Sequence, residues 1–235
     1  MIDIKDLQKR FGKLKALDSI NVSIQNDGIF AVLGPNGSGK TTLIKCILGM
    51  VIPDAGSIRI NDQEILGQWA YREKISYMPQ IANFPPNLKV FELIRMIKSF
   101  RTGITNVDEL IALFQLEASL EKKISHLSGG TKQKVNILLT FMIDAPLIIL
   151  DEPTTGLDPV ALMKLKQLIL DEKKRGKIIL ITSHSMAFVN AISDDIVFLL
   201  EGKIYFRGSI TELKEKTKQP DLEQAIVKLL TSPHA

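Results

Sequence analysis

A run of small residues that ends in lysine and threonine is the clearest chemical signal in this sequence. The run consists of Gly34, Pro35, Asn36, Gly37, Ser38, Gly39, Lys40 and Thr41. It matches the pattern G-x-x-x-x-G-K-[ST], in which small residues let the chain curl until its backbone N–H groups point at an oxyanion. The Lys40 ammonium can then reach the β- and γ-phosphates of a nucleotide, and the Thr41 hydroxyl can ligate Mg²⁺.

The residues on either side of this loop predict the strand and the helix that the chemistry requires. Residues 29–33 form a short apolar run typical of a buried strand, and residues 42–48 continue as a helix that ends at Gly49. The N-terminus of that helix adds partial positive charge behind the loop. The combination of strand, loop and helix therefore favours a phosphate site over a glycine-rich turn that binds nothing.

Two neighbouring carboxylates end a second apolar run. Residues 147–152 are predicted to be a buried strand whose last two residues are Asp151 and Glu152. Burying such a pair is costly unless a metal ion or a proton transfer uses it. Because side chains alternate along a strand, the two carboxylates cannot do the same job. Asp151 suits Mg²⁺, and Glu152 suits the base for a water molecule that attacks the γ-phosphate.

A second loop of small residues also leads into a helix. Ser128, Gly129 and Gly130 precede a helix predicted from about residue 131 to residue 143. The start of this helix is a second end suited to an anion, although the nucleotide at the first loop already has one. The alternative is that Ser128 only caps the helix.

Three single residues stand where they can serve a nucleotide. Gln80 follows the predicted strand 75–78, and His184 follows the predicted strand 177–182. A glutamine there can reach a phosphate, and a histidine there can sense the γ-phosphate, although either residue alone is more often a surface or structural residue. Phe11, beside Gly12, can stack on a base ring or belong to the core.

The composition excludes several classes of protein. Of 235 residues, 45% are hydrophobic and 24% are charged, which is typical of a globular chain, and the net charge of +4 is spread over short clusters. We therefore expect no nucleic-acid partner. The one cysteine, Cys46, permits no intrachain disulfide and suits a core position. Without a signal-like N-terminus or a membrane-length apolar run, the expectation is a cytosolic protein that meets a membrane through a partner.

The remaining pattern predicts strands at both ends of the chain and helices in its middle. Residues 2–7, 20–24 and 57–60 alternate as strands, and residues 196–200 and 204–207 read as a hairpin. Apolar residues at helical spacing predict helices over 90–100, 107–116, 160–175, 211–218 and 221–230. Residues 84–130 thus look like a helical insert between strands.

Taken together, these motifs make the chain similar to the nucleotide-binding subunits of ABC (ATP-binding cassette) transporters. The matching segments are the Walker A loop at 34–42, which includes Thr42, the Q-loop at Gln80, the signature at 127–131, Walker B at 147–151, the catalytic Glu152, the D-loop at 156–158 and the switch His184. Two residues depart from the common pattern: Thr131 stands where glutamine is usual, and Phe11 replaces a tyrosine.

The resemblance implies a fold, a mechanism and partners. The fold is an α/β P-loop NTPase with a RecA-like, mainly parallel core sheet, an N-terminal antiparallel sub-sheet and an inserted helical sub-domain. One ABC ATPase domain would span residues 1–235, with its core at 1–83 and 131–210, the helical sub-domain at 84–130 and a helical tail at 211–235. Two such chains would pair head to tail, so that Ser128, Gly129 and Gly130 hold the γ-phosphate of the partner's ATP while Asp158 communicates across the dimer.

The resemblance also assigns the cofactors and a second partner. ATP and Mg²⁺ are implied, with Gln80 joining Thr41 and Asp151 at the metal and Phe11 stacking on adenine. The helical sub-domain would dock on an integral membrane permease subunit, which would hold the ATPase at the inner face of the cell membrane.

Three kinds of protein share some of these motifs. The single cassette and the short tail are similar to ATPases of ABC-2-type exporters, and residues 84–88 and 128–135 resemble the NosF-like group of nitrous-oxide-reductase and copper-site maturation. The alternative is a soluble ABC-type ATPase of translation or DNA maintenance, but those carry two cassettes or a very long coiled coil. Another P-loop kinase or GTPase would leave the loop at Ser128 without a purpose.

Overall fold

The computed structural model describes residues 1–231, and the end of the predicted tail, residues 232–235, lies outside the described residues. The strands of the described chain are β1 (Ile2–Phe11), β2 (Leu14–Ile24), β3 (Gly28–Leu33), β4 (Ala55–Ile60), β5 (Gln63–Glu64), β6 (Ile75–Met78), β7 (Leu147–Asp151), β8 (Ile178–Thr182), β9 (Asp195–Leu200) and β10 (Lys203–Ser209). Its α-helices are α1 (Lys40–Ile47), α2 (Val90–Phe100), α3 (Val107–Phe114), α4 (Gly129–Phe141), α5 (Pro159–Lys174), α6 (Met186–Ile192), α7 (Ile210–Thr217) and α8 (Leu222–Thr231).

The chain divides into two compact units. Among the described residues, the first comprises residues 1–71 and 180–231, and the second comprises residues 72–179. Strand β8 carries the chain from the second unit back to the first. No α-helix within residues 1–231 is both long enough and apolar enough to cross a bilayer.

The first unit contains an antiparallel sheet and a parallel pair of strands. Strand β1 pairs with β2 and with β4. Its buried residues Ile2 and Ile4 alternate toward the core, and Leu7 is buried beyond an irregularity in the pairing between Ile4 and Leu7. Strand β3, buried along its whole length, runs parallel to β9. Strands β9 and β10 form the predicted hairpin, and positive φ angles at Glu201 and Gly202 suit its tight turn.

The helices that close the first unit cover one side of these strands. Side chains of β3, β9, β10, α6, α7 and α8 share one apolar cluster, which includes Leu33, Val189, Phe198, Leu213 and Ile226. Burial of such side chains against the strands is the main force that holds α7 and α8 in place.

The second unit is built around a parallel strand pair and a buried helix. Strands β6 and β7 run parallel with Ile75 opposite Leu147, and all five residues of β7 are buried. Parallel strands that are buried on both faces read as continuous apolar runs, which is why the pattern predicted β7 correctly. Helix α4 presents mostly buried side chains, while α2 and α3 each bury one stripe.

The predicted elements are confirmed with small changes at their ends. Strands β1 and β2 extend well beyond the predicted segments. The added residues were not predicted because many of them are partly exposed and less apolar. Helix α4 begins two residues earlier than predicted, at Gly129. The short helix α6 and the two-residue strand β5 were not predicted, since neither is long enough to show a period.

Candidate functional site

The glycine-rich loop of the first unit adopts a shape that only glycine permits at two positions. Gly34 has φ 148° and Gly39 has φ 109°. A Cβ atom at Gly34 would overlap the carbonyl oxygen of Leu199, and one at Gly39 would overlap the carbonyl oxygen of Ala16. The loop therefore lies against neighbouring backbone before it enters α1 at Lys40.

Two polar side chains of this loop are buried. Ser38 is 2% exposed, and its hydroxyl has no hydrogen-bond partner within residues 1–231. Lys40 is also buried, and its ammonium donates to the carbonyl oxygens of Gly34 at 2.7 Å and Pro35 at 3.0 Å. A buried hydroxyl without a partner is rare and calls for a ligand. The loop fits a phosphate group, since hydroxyl, ammonium and helix N-terminus all favour an anion.

The rest of the loop stays open to solvent. Pro35, Asn36 and Gly37 form its exposed tip, with Gly37 at φ 79°. Thr41 is exposed and Thr42 is half-buried, both in the first turn of α1. The Thr41 hydroxyl is thus accessible to an ion, as the metal role requires.

Phe11 and His184 are the other predicted site residues of the first unit. Phe11 ends β1 with its side chain 50% exposed and the Lys9 ammonium 5.5 Å from its ring centre, so the alternative of a core residue is wrong. His184 is exposed in the connection between β8 and α6. Its neighbour Ser185 caps α6 by accepting the Phe188 N–H, which sets the direction of the chain at His184.

In the second unit, the two carboxylates lie at the end of β7. Asp151 is 3% exposed and Glu152 is 6% exposed. Glu152 has φ 51°, an uncommon backbone conformation for a residue other than glycine, and such conformations cluster at functional sites. Burial, with a smaller contribution from the charge of Asp151, raises the pKa of Tyr77 on the adjacent strand β6 to about 12.

Gln80 lies two residues beyond the end of β6, with its side chain exposed. The preceding residue, Pro79, accepts a hydrogen bond from the buried Asn136 amide of α4 at 3.0 Å. This contact holds the chain just before Gln80 against α4.

The signature residues form the first turn of α4. The Ser128 hydroxyl accepts the Thr131 N–H at 3.2 Å and lies 2.9 Å from the Thr131 hydroxyl. Ser128 therefore caps the helix, which confirms the capping interpretation and leaves its phosphate role a prediction. Gly129 is exposed, and a Cβ atom at Gly130 would lie 3.0 Å from the carbonyl oxygen of Gly156. The signature turn thus packs closely on the D-loop segment.

Asp158 begins α5 and binds two partners. One carboxylate oxygen accepts the Ala161 N–H at 2.8 Å, and the other forms an ion pair with Lys134 at 2.7 Å. The hydrogen bond from Lys134, followed by the one from Ala161, lowers the pKa of Asp158.

The second unit therefore places residues 153–158, which follow Glu152 and end at Asp158, against the first two turns of α4, where Gly130 lies. The residues that make these contacts, Gln133, Lys134 and Asn136, were not predicted. For two of them a signal was available, because the polar residues Gln133 and Asn136 lie three positions apart on the side of α4 that also carries Ile137 and Thr140. Cys46 is buried as expected, and burial raises its pKa to about 11.

The residues also fit Mg²⁺. Within residues 1–231 no three His, Cys, Asp or Glu side chains cluster as a metal cage. Mg²⁺ needs no such cage, since it is commonly held by one or two protein oxygens together with substrate phosphates. In the first unit Thr41 carries a hydroxyl oxygen of this kind. In the second unit Asp151 and Gln80 carry a carboxylate and an amide oxygen.

Comparisons with known proteins agree with this motif set. The family model described as "ABC transporter" matches residues 17–155. The Nod factor export ATP-binding protein I of Burkholderia lata is 31% identical over 214 residues, which covers 88% of this chain and 70% of the relative. The lantibiotic transport ATP-binding protein SrtF of Streptococcus pyogenes is 32% identical over 209 residues, which covers 87% of this chain and 89% of the relative.

An importer and a solved structure are similar as well. The L-cystine import ATP-binding protein TcyN of Bacillus subtilis is 30% identical over 237 residues, with 95% of this chain and 92% of the relative covered. A structure described as an ATP binding subunit of an ABC transporter superposes with a TM-score of 0.91 at 28% identity and covers 98% of this chain and 100% of its own.

The predicted α/β P-loop fold is confirmed by this superposition. The family match covers more than half of the chain and includes the phosphate loop, the signature turn and the Walker B carboxylates. The chain therefore belongs to the ABC transporter family, as an ATP-binding subunit with ATPase activity.

Proposed function

We propose that this chain works as half of a head-to-tail dimer that binds and hydrolyses Mg-ATP and drives transport through a separate membrane subunit. The observation that carries the proposal is the buried Ser38 hydroxyl, which has no partner within residues 1–231, in a loop that Gly34 and Gly39 shape against neighbouring backbone. Such a donor, beside a buried lysine, is suited to the phosphates of a nucleotide.

The residues of the first unit bind the nucleotide. The loop of residues 34–42 wraps the phosphates with its backbone N–H groups, and Lys40 moves from the loop carbonyls to the outer phosphates. Phe11 stacks on the adenine ring with its exposed face. Thr41 would supply a hydroxyl oxygen to Mg²⁺, and the same metal role is proposed for Asp151 and Gln80 of the second unit. When bound, Mg²⁺ neutralises the charge that builds up on the phosphate oxygens.

Hydrolysis requires a general base, and the carboxylate of Glu152 is the proposed base. Glu152 accepts a proton from a water molecule as the water oxygen attacks the γ-phosphorus and the bond to the bridging oxygen breaks. The constrained backbone at Glu152 holds the carboxylate in one orientation, which is what a positioned base requires. His184 donates to the γ-phosphate and orients it.

The second loop serves the partner subunit. Ser128, Gly129 and Gly130 are exposed or half-exposed at the N-terminus of α4, where the helix dipole favours the γ-phosphate of the nucleotide bound by the partner. Asp158 lies next to this turn and carries the state of one site to the other. A second copy of this chain is the partner that we propose.

The membrane subunit binds the helical insert. We propose that residues 84–130 form this sub-domain within one ATPase domain at 1–235, between core segments 1–83 and 131–210 and before the tail at 211–235. Exposed Phe100 on α2 and exposed Ile81 beside Gln80 offer apolar contacts to a cytoplasmic helix of the permease. The ATPase would then lie at the inner face of the cell membrane.

The direction of transport is proposed from the Nod factor relative together with the sequence similarity to ABC-2-type exporters. The Nod factor and lantibiotic proteins are named for export or transport, whereas TcyN is named for import. Export is therefore the proposed direction. The narrower similarity to NosF-like ATPases of copper-site maturation stays a prediction from the sequence.

The test is the molar mass and turnover of the full chain in which Glu152→Gln removes the base. We expect ATP to bind, hydrolysis to fall by roughly 10²–10⁴-fold, and Mg-ATP to shift the variant from monomer to dimer in size-exclusion chromatography with light scattering. Glu117→Gln, a change of an exposed carboxylate on the second unit, is the matched control and should hydrolyse ATP as the wild type does.

Two results would contradict the proposal. Normal hydrolysis by Glu152→Gln would remove the assigned base. A variant that stays monomeric at saturating Mg-ATP would remove the homodimer, and the chain would then be tested for pairing with a different cassette.

A further inference from the structure

Three contacts tie the first two turns of α4 to residues 153–158, the segment that follows the base and contains the D-loop. Gly130 packs 3.0 Å, as measured from an ideal Cβ atom, from the carbonyl oxygen of Gly156. The buried Gln133 amide donates to the carbonyl oxygen of Pro153 at 3.2 Å. The Lys134 ammonium pairs with the Asp158 carboxylate at 2.7 Å. The contacts are spread along residues 153–158, so the whole segment rests on one helix.

The Lys134–Asp158 pair differs from an ordinary surface ion pair in its geometry. Both carboxylate oxygens of Asp158 are committed, one to the Ala161 N–H at the start of α5 and the other to Lys134 on α4. The side chain of Asp158 is therefore held between two helices. The Lys134 side chain is 22% exposed, which protects its ammonium from much of the surrounding water.

The pair contributes little to folding stability. In double-mutant measurements, ion pairs of this exposure stabilise the folded state only weakly. An ion pair that barely stabilises the fold but fixes the orientation of a functional loop is suited to positioning rather than to stability.

We propose that Lys134 is a positioning residue for ATP hydrolysis: it holds Asp158, and through residues 153–158 the base Glu152, in the arrangement that reaction requires. The inference rests on the proposed function of Glu152 and Asp158. Because Lys134 stands one turn after the signature loop, it also connects the loop that serves the partner's nucleotide with the base that serves the chain's own.

The test compares Lys134→Met with Lys134→Arg in the full chain. Methionine keeps the length of the side chain and removes the charge, whereas arginine keeps a charged donor for the carboxylate. We expect kcat of Lys134→Met to fall by roughly 10–100-fold, the effect of a misplaced catalytic group, with KM for ATP unchanged, and Lys134→Arg to recover most of kcat.

Two controls separate positioning from folding. Lys166→Met removes the same charge from α5 of the same unit and should leave kcat unchanged. Thermal unfolding of Lys134→Met should begin less than about 4 °C below the wild type. If KM for ATP rises together with the fall in kcat, and the unfolding temperature falls by more than about 4 °C, the role of Lys134 is structural and the inference is overturned.

The remaining outcomes separate this inference from the proposed function. Wild-type hydrolysis with an equally active Lys134→Met removes the positioning role and leaves the proposed function intact. A wild-type chain that binds ATP without hydrolysing it removes the proposed function and the inference together.

Discussion

At the scale of single residues, Gly34 and Gly37 show how differently two glycines of one loop are used. Gly34 has φ 148° and no room for a Cβ atom beside the Leu199 carbonyl oxygen, whereas a Cβ atom at Gly37 would meet nothing within 4 Å. The pattern G-x-x-x-x-G-K-[ST] names Gly34 but not Gly37, and the packing gives the reason. The carbonyl of Leu199 belongs to a strand far away in the sequence, so its approach could not be predicted from the pattern.

We expect Gly34→Ala to destabilise the chain by about 2–4 kcal/mol, because the added methyl group overlaps backbone and the φ angle is strained. Gly37→Ala should lower the free energy of unfolding by only about 1 kcal/mol, since the added methyl group makes the positive φ angle unfavourable but overlaps no other atom. Urea unfolding of both variants, with ATP binding measured beside it, checks the difference. Equal effects in the two variants would contradict the close approach at Leu199.

The sequence predicted the burial of some single residues well, but it did not predict contacts between distant residues. Cys46 lies in the core as its type and its helix suggest. Lys134 was not predicted, because the partner that gives it a role is 24 positions away in the printed sequence and such a pairing arises only when α4 packs on the start of α5.

At the scale of elements, the start of α4 combines a structural and a proposed functional role. Ser128 caps the helix by accepting the Thr131 N–H, and the Gly129–Gly130 backbone remains accessible beside it. The cap uses only a lone pair of the Ser128 oxygen, so with Thr131 as the donor between the two hydroxyls, the Ser128 O–H can donate to a phosphate oxygen.

Two substitutions at Ser128 separate these roles. Ser128→Ala removes the cap and should cost about 1 kcal/mol of stability. Ser128→Arg should leave ATP binding to the monomer intact but block the ATP-dependent dimer and hydrolysis, because a long cation fills the exposed face of the turn. Light scattering and turnover check both variants, and a fully active Ser128→Arg would remove the proposed role in the partner's site.

At the scale of the whole molecule, a cluster of charges around the buried side chains of Lys177 and Glu172 ties α5 to the strands beside it. Lys177, which precedes β8, pairs with Glu172 near the end of α5 and, at 2.6 Å, with Asp144, which precedes β7. The side chains of Lys177 and Glu172 are 9% and 7% exposed. Arg175 also pairs with Glu172 at 2.9 Å. Removing one member of such a cluster leaves a buried charge uncompensated.

We therefore expect Lys177→Met to lower the free energy of unfolding by about 3 kcal/mol, at the low end of the range for broken buried pairs because Arg175 still neutralises Glu172. Lys174→Met, which breaks only the exposed pair with Asp171, should cost less than about 1 kcal/mol. Urea unfolding of the two variants checks the contrast. Equal costs would mean that the cluster is no stronger than a surface pair.

The same cluster makes stability depend on pH in a defined direction. The hydrogen bond from Lys177 lowers the pKa of Asp144 below its usual 3.8. The stability that this pair contributes is therefore complete above pH 3.8 and is lost as the pH falls through the lower pKa of the folded state. The difference in unfolding temperature between the wild type and Lys177→Met should shrink below about pH 4.

Much of this protein could be predicted from local order along the chain. The glycine-rich loop, the apolar runs of β3 and β7 and the helical periods of α2, α3 and α5 are patterns of neighbouring residues, and each was visible because hydrophobic burial imposes a period of its own. The same holds for the choice of Lys40, Asp151 and Glu152 as candidates, since the chemistry demands a lysine after a glycine-rich loop and carboxylates at the end of a strand.

The contacts that give those candidates their geometry depend on packing between distant segments. Three of these contacts join residues that no local period relates: Leu199 with Gly34, Asn136 with Pro79, and Lys134 with Asp158. The exposure of Phe11 likewise depends on how distant segments pack around it. Burial favours many apolar arrangements about equally, but a buried polar group needs a partner at hydrogen-bond distance. That demand selects one packing of α4 on its neighbouring loops, and it becomes visible only in the folded chain.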